Sequence, residues 1–96
     1  MANRFRVQFA KSAEDDLLDI VTWYTSQKVP EVGTRLVASV LERVGQLALF
    51  PDSGKIVPEF DTQWLRELAM PPYRIVYRRD ESVVTIVRVS LSAHMT

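Results

Sequence analysis

The chain of 96 residues contains no cysteine, one histidine and only three glycines. Without cysteine, a disulfide framework and a thiolate metal site are excluded. The three glycines lie far apart, so no glycine-rich loop is present to cradle a phosphate. The single histidine, His94, lies close to the C-terminal end, where chains fray, so a serine–histidine–aspartate site is not expected.

Long apolar runs and an excess of one charge are also missing. The apolar runs are too short to span a membrane, and the N-terminus lacks the charged-then-apolar pattern of a signal peptide. Twelve basic and twelve acidic residues give a formal net charge of zero, so DNA binding by this chain alone is not expected. We therefore expect a cytoplasmic protein with no membrane partner, no cofactor and no metal.

Apolar residues make up 47% of the chain, which is ordinary for a globular protein. We expect one domain over residues 1–96, because this length provides for one core. Residues 5–10 alternate between apolar and polar, which predicts a strand. Ser12 followed by Asp15 resembles a capping box and predicts a helix that starts there and runs to about Gln27.

A second helix is predicted from Pro30, which suits a first helical turn. Apolar residues then keep the helical period as far as Ala48. Gly33 would let the two helices approach closely. The sequence at 51–54, Pro-Asp-Ser-Gly, is a strong turn signal that ends the helical hairpin.

The second half of the chain predicts a loop and three strands. Residues 55–63 are expected to form a surface loop, and strands are expected at about 64–69, 73–79 and 83–89. Short connections favour antiparallel pairing, and we place the first strand beside the last. The predicted fold is α+β with the order β-α-α-β-β-β, in which the helical hairpin packs on one face of a small, mainly antiparallel sheet.

Arginines are concentrated on these strands. Four fall between positions 66 and 79, where Glu67 is the only acid. Alternation at 73–79 places the two tyrosines and Ile75 on the core face, and Arg74, Val76 and Arg78 on the other. A guanidinium group binds carboxylates or phosphates bidentately, although a solvated face paired with acids such as Glu67 stays open as the alternative. The candidate target-binding residues are Trp64, Arg66, Arg74, Arg78 and Arg88.

Local patterns occur in a fixed order along residues 5–90. They are Ala13-x-x-Asp16-Leu17, Leu47-x-x-x-Pro51-x-x-Gly54, Leu65-Arg66-Glu67-Leu68 and Tyr73-Arg74-Ile75-Val76-Tyr77. Together they resemble the ParE/RelE toxin superfamily of bacterial type II toxin–antitoxin modules. That resemblance implies one of two activities: RelE-like members are ribosome-dependent endoribonucleases, whereas ParE-like members act on DNA gyrase. In both branches a cognate antitoxin wraps the toxin.

The ribonuclease interpretation is the weaker of the two. RNA cleavage needs a proton acceptor, a proton donor and cations for the phosphorane charge. The resemblance to RelE-like enzymes implies Arg74 as a catalytic residue, but it also implies lysines on the preceding strand, and that strand contains none. A basic or aromatic residue is also expected near positions 91 and 92, where the chain has Leu91 and Ser92.

The ParE-like interpretation is therefore favoured. It predicts an inhibitor of DNA gyrase that recognises its target through the arginine surface. It also predicts a ParD-like antitoxin whose C-terminal segment covers the helical hairpin, with the sheet edge as a further place of contact. Trp23 and Tyr24 are candidate antitoxin contacts, with the alternative that they belong to the core. A third possibility is a non-toxic relative that only binds its antitoxin.

Overall fold

In the computed structural model, which describes residues 4–91, the chain folds into two layers. The α+β class, the element order and the helical hairpin on one face of a mainly antiparallel sheet are confirmed. The elements are β1 (Arg6–Phe9), α1 (Lys11–Ser26), α2 (Pro30–Gly45), a 3-10 turn (Gln46–Ala48), β2 (Lys55–Ile56), β3 (Leu65–Met70), β4 (Tyr73–Arg79) and β5 (Val83–Leu91).

The sheet has the strand order β1-β5-β4-β3-β2. β1 pairs with β5 in parallel, which confirms the prediction that the first strand lies beside the last. The other pairs are antiparallel. The prediction that 55–63 form only a loop is wrong, because Lys55 and Ile56 pair with β3 as a fifth strand. A strand of two residues is too short to show the apolar–polar alternation from which a strand is predicted.

α1 begins at Lys11 rather than after a Ser12 cap, so the capping-box prediction is wrong. Ala10 occupies the N-cap position, and no side chain caps the helix. The Ser12 hydroxyl instead donates a hydrogen bond of 2.6 Å to the carbonyl oxygen of Val87 in β5. A tertiary contact thus takes the place of a local one, and it ties the start of α1 to the edge of the sheet.

The two helices pack closely at Gly33, as predicted. A Cβ atom at this position would lie 3.1 Å from Cβ of Tyr24, so a larger residue would push the helices apart. α1 ends at Ser26 and α2 starts at Pro30, both close to the predicted positions. Each helix has 16 residues. Neither of these helices, the ones within residues 4–91, is long and apolar enough to cross a membrane.

The core lies between the helices and one face of the sheet. The predicted core residues of β4, namely Tyr73, Ile75 and Tyr77, are at most 8% exposed, which confirms their assignment. Burial of each large apolar side chain contributes about 1.5–3 kcal/mol to folding. The fully buried partners from other elements are Ala13, Val40, Leu47, Val84 and Ile86.

The turn after α2 is fixed by Tyr77. Its hydroxyl donates to the Pro51 carbonyl oxygen at 2.7 Å and accepts from the Gly54 backbone N–H at 3.0 Å. A Cβ on Gly54 would come within 2.6 Å of the Glu67 carbonyl oxygen. The pattern Leu47-x-x-x-Pro51-x-x-Gly54 therefore encodes a turn that lies directly against the sheet.

Candidate functional site

Most of the Arg66 guanidinium group binds the turn that follows α2. Its Nε donates to the carbonyl oxygen of Gln63 at 2.9 Å, and its Nη1 donates to that of Gly54 at 3.0 Å. The Asp52 carboxylate lies 3.5 Å from Nε, and only 16% of the Arg66 side chain is exposed. The sequence predicts Arg66 as a target-binding residue. In the structure these contacts give it a structural role and leave little of its guanidinium group free to bind a target.

Trp64 lies at the end of the sheet where β3, β4 and the turns meet. Its side chain is 52% exposed. It separates two shallow depressions, one of about 700 Å³ lined also by Arg78 and Arg79, and one of about 280 Å³ lined also by Arg66 and Arg79. We call Trp64 with these three arginines the Trp64 surface.

The two arginines at the end of β4 differ in how firmly they are held. Arg79 Nε lies 2.8 Å from the Asp52 carboxylate, and its guanidinium stacks 4.9 Å from the ring centre of Phe5. Arg78 lies 3.6 Å from Asp80 and is 44% exposed. Because the Arg78 pair is longer and open to water, Arg78 is the arginine of the Trp64 surface that is most available for a partner.

Arg74 lies further along β4, on the sheet face that the helices leave open. Its Nε is 2.9 Å from a carboxylate oxygen of Glu67, and its Nη1 is 3.7 Å from Glu59. The Nε–H bond does not point along the short contact, so the contact is an ion pair rather than a directed hydrogen bond. Glu67, only 11% exposed, also lies 3.8 Å from Lys55. Arg74 is therefore part of a compensated charge cluster.

Arg88 lies apart from the other arginines, beside α1. Its guanidinium forms two hydrogen bonds with the Asp16 carboxylate, of 2.8 and 3.0 Å, and these bonds raise the pKa of Arg88. The ladder register is irregular here, because Val76 pairs with Arg88 but Tyr77 pairs with Ile86. The extra residue in β5 breaks the alternation, and strict strand periodicity cannot show this.

Trp23 and Tyr24 border a groove at the opposite end of the molecule. Trp23 is 56% exposed, and its ring meets that of Tyr24 edge-on at 4.8 Å. Burial, and to a lesser extent the nearby Tyr24, raise the pKa of Tyr73, which also lines the groove. The groove has a volume of about 460 Å³. Its other lining residues include Asp19, Ile20, Val89 and Leu91.

The prediction for the residues after the last strand lies partly outside the described part of the chain. Leu91 is the final residue of β5 and is 63% exposed, while Ser92 and His94 lie outside residues 4–91. Residues 4–91 contain no histidine and no group of three side chains suited to hold a metal.

Comparisons with known proteins agree with this geometry. The family model of the ParE toxin of the type II toxin–antitoxin system parDE matches residues 7–94. No curated protein matches the chain. A solved structure of the chromosomal ParDE system from P. aeruginosa is similar, with a TM-score of 0.78, 21% sequence identity, and coverage of 94% of this chain and 98% of that one.

The structure of the toxin–antitoxin complex RelBE2 from Mycobacterium tuberculosis is also similar. It has a TM-score of 0.66 and 25% sequence identity, and the match covers 98% of each chain. The likeness to the ParDE structure concerns the fold, whereas the family match extends over nearly the whole sequence. The chain therefore belongs to the family of ParE toxins of type II toxin–antitoxin systems.

Proposed function

We propose that this chain is a toxin that inhibits DNA gyrase in the cytoplasm and is neutralised by a ParD-like antitoxin. The observation that carries the proposal is that each arginine on the open sheet face and its end is already paired with a carboxylate. Arg74 pairs with Glu67, Arg78 with Asp80, and Arg79 with Asp52. The short pairs of Arg74 and Arg79 hold their guanidinium groups in place, whereas the longer, exposed pair of Arg78 leaves that group available to a protein target.

Trp64 and Arg78 of the Trp64 surface form the proposed gyrase contact. Tryptophan and arginine are the side chains that most often dominate binding at protein interfaces. Here a half-exposed indole ring lies beside Arg78, the least firmly held of the three arginines. The match to the ParE family supports gyrase rather than the ribosome as the target.

A pair of assays on one preparation tests the proposal. One assay measures gyrase supercoiling and cleavage-complex formation, and the other measures ribosome-dependent cleavage of mRNA. We expect inhibition of gyrase alone. Trp64→Ala or Arg78→Ala should weaken inhibition about tenfold, with an unchanged thermal unfolding curve. Phe60→Ala is the control, because Phe60 is 63% exposed but does not line the Trp64 surface.

Cleavage of mRNA is the second candidate activity. It is favoured by Arg74, whose side chain is 30% exposed in the middle of the open face, and by the likeness to the RelBE2 complex. In that case mRNA would be cut while gyrase stayed active, and Arg74→Ala would stop the cleavage without unfolding the protein. A chain that bound its antitoxin but was inactive in both assays would be a non-toxic relative.

A further inference from the structure

The acid that pairs with Arg78 comes from the end of the same strand. Side chains two residues apart along a strand point to the same face, so Asp80 continues the face on which Arg78 lies. The turn between β4 and β5 holds it there, because the backbone N–H of Asp80 donates to the Val83 carbonyl oxygen at 2.8 Å. The Asp80 carboxylate then lies 3.6 Å from Nε of Arg78. Arg78 thus has a local partner that the turn itself supplies.

This pair is looser than the contacts of the other two arginines of the Trp64 surface. The side chains of Arg78 and Asp80 are 44% and 55% exposed, and an ion pair in such a position adds little to stability. Arg79 lies 2.8 Å from the Asp52 carboxylate, and Arg66 donates to two backbone carbonyl oxygens. Arg78 is therefore the arginine of this surface that can exchange its carboxylate for another at small cost.

Trp64 lies beside this exchangeable guanidinium group, since it and Arg78 line the same depression. A carboxylate that enters the depression can bind the guanidinium group bidentately. The half-exposed indole ring offers a place for an apolar side chain next to that carboxylate. The surface therefore fits an acidic residue with an apolar neighbour.

The charge around the depression favours a protein carboxylate over a DNA phosphate. Glu81 also lines the depression, is exposed and forms no ion pair with any residue of the range 4–91. DNA presents a row of phosphates, and tight binding to it requires several cations that are free to neutralise them. Here one exchangeable arginine lies beside Asp80 and Glu81. A single carboxylate of a protein matches this balance.

We propose that Asp80 masks Arg78 in the free chain and that an acidic side chain of gyrase replaces Asp80 on binding. An apolar side chain of gyrase packs on Trp64 beside it. The inference rests on the proposed function, because it takes gyrase as the partner. It adds the residue types that gyrase supplies, and it makes Asp80 a residue that limits the affinity.

Titration calorimetry of the full chain with DNA-free gyrase tests the role of Asp80. Asp80→Asn removes the charge but keeps the size of the side chain and the backbone bond to Val83. We expect it to bind gyrase about three- to fivefold more tightly, because a weak ion pair no longer has to be broken. Asp80→Ser, a second uncharged residue that suits turns, should give the same gain.

Glu81→Gln is the matched control. It removes the same charge from the adjacent position of the turn, but Glu81 is not paired with Arg78. This control should leave the affinity within about twofold. The gain from Asp80→Asn should also depend on Arg78, so that in an Arg78→Ala background it falls below about twofold. Added salt should weaken binding of the wild type more than binding of Arg78→Ala.

The outcomes separate this inference from the proposed function. Unchanged or weaker binding of Asp80→Asn, or an equal gain from Glu81→Gln, would overturn the inference while inhibition of supercoiling still supported gyrase as the target. Weaker binding of both variants would point to a lysine or arginine of gyrase instead. Binding that occurs only when DNA is present would assign Arg78 to a phosphate, and it too would overturn the inference. If the wild type neither bound gyrase nor inhibited supercoiling, the proposed function would fail and the inference with it.

Discussion

Gly54 lies where the sheet leaves no room for a side chain. An added Cβ would meet the Glu67 carbonyl oxygen at 2.6 Å and the Tyr77 hydroxyl at 2.7 Å. We expect Gly54→Ala to lower the free energy of unfolding by about 2–3 kcal/mol, because it displaces the turn and breaks a buried hydrogen bond. Urea denaturation measures this change.

Gly45 provides the control for this substitution. Nothing lies within 4 Å of a Cβ built there, and the residue ends α2 in a helical conformation. Gly45→Ala should therefore be neutral or raise the free energy of unfolding by up to about 1 kcal/mol. A Gly54→Ala variant as stable as the wild type would show that the turn can move away from Tyr77 without cost.

Lys28 connects the two helices with a backbone φ of 65°, in the left-handed region that favours glycine. Its N–H donates to the Thr25 carbonyl oxygen at 3.0 Å, a bond that needs no side chain. We expect Lys28→Gly to raise the free energy of unfolding by about 1 kcal/mol in chemical denaturation. Lys28→Ala removes the same charge but keeps the Cβ, so equal stabilisation by alanine would attribute the effect to charge instead of the backbone.

At the scale of elements, the edge of β5 depends on Asp16. Asp16→Ala leaves the N–H of Val89 without its acceptor and removes both bonds to Arg88. Loss of the backbone acceptor alone should lower the free energy of unfolding by about 1–2 kcal/mol. The amide of Val89 should also exchange faster with solvent, as NMR hydrogen exchange can measure.

Asp15 is the matched control on the same helix. It pairs only with Lys11, at 3.1 Å on the surface, where such pairs contribute about 0.3–0.5 kcal/mol. Asp15→Ala should leave the exchange of the Val89 amide unchanged. Equal effects of the two substitutions would mean that the negative charge of α1 matters, rather than the bond to β5.

The elements differ in how much of them the sequence predicts. The helices and the strand at 73–79 could be predicted, because their apolar residues recur at helical or strand spacing over several helical turns or along a whole strand. The role of Ser12 could not be predicted, because its hydroxyl binds the carbonyl oxygen of Val87, a residue 75 positions away. The position of Arg88 depends on an irregular pairing of β4 with β5, and the role of Arg66 depends on carbonyls of a turn. These are tertiary contacts that local patterns do not contain.

For the whole molecule, the net charge of zero conceals an uneven distribution. The acids at 14, 15, 16 and 19 lie on α1, while Arg66, Arg78 and Arg79 line the Trp64 surface. Pairing offsets much of this separation, since Asp52 and Asp80 lie beside the arginines of the Trp64 surface and Arg88 lies beside Asp16. The sequence shows both clusters, but only the fold shows that an apolar groove adjoins the acidic one and an exposed indole ring the basic one.

Stability should decrease in alkali. Burial raises the pKa of Tyr77, against the opposing effects of the Gly54 N–H and of Arg66, and burial also raises the pKa of Tyr73. A raised pKa means that the folded state holds the proton more tightly than the unfolded chain. The free energy of unfolding should therefore be constant with respect to these groups below the ordinary value of 10.0 and should fall as the pH rises through the folded-state pKa.

Tyr77→Phe tests this pH dependence. The variant should be less stable at neutral pH, because Pro51 and Gly54 lose their hydrogen-bond partner. Its stability should then decline less steeply than that of the wild type above pH 10.0, the ordinary tyrosine value. Urea denaturation at a series of pH values gives both curves, and parallel curves would assign the alkaline loss to other groups.

The pairing of β1 with β5 also governs when the molecule can fold during translation. Gln8 and Thr85 are hydrogen-bonded at 3.0 Å although 77 positions separate them. Val84 and Ile86 of β5 are fully buried in the core. A nascent chain therefore cannot close its sheet until residues 83–91 have left the ribosomal exit tunnel, whereas the helical hairpin needs only contacts between near neighbours. The sheet is therefore completed only after β5 has emerged from the tunnel.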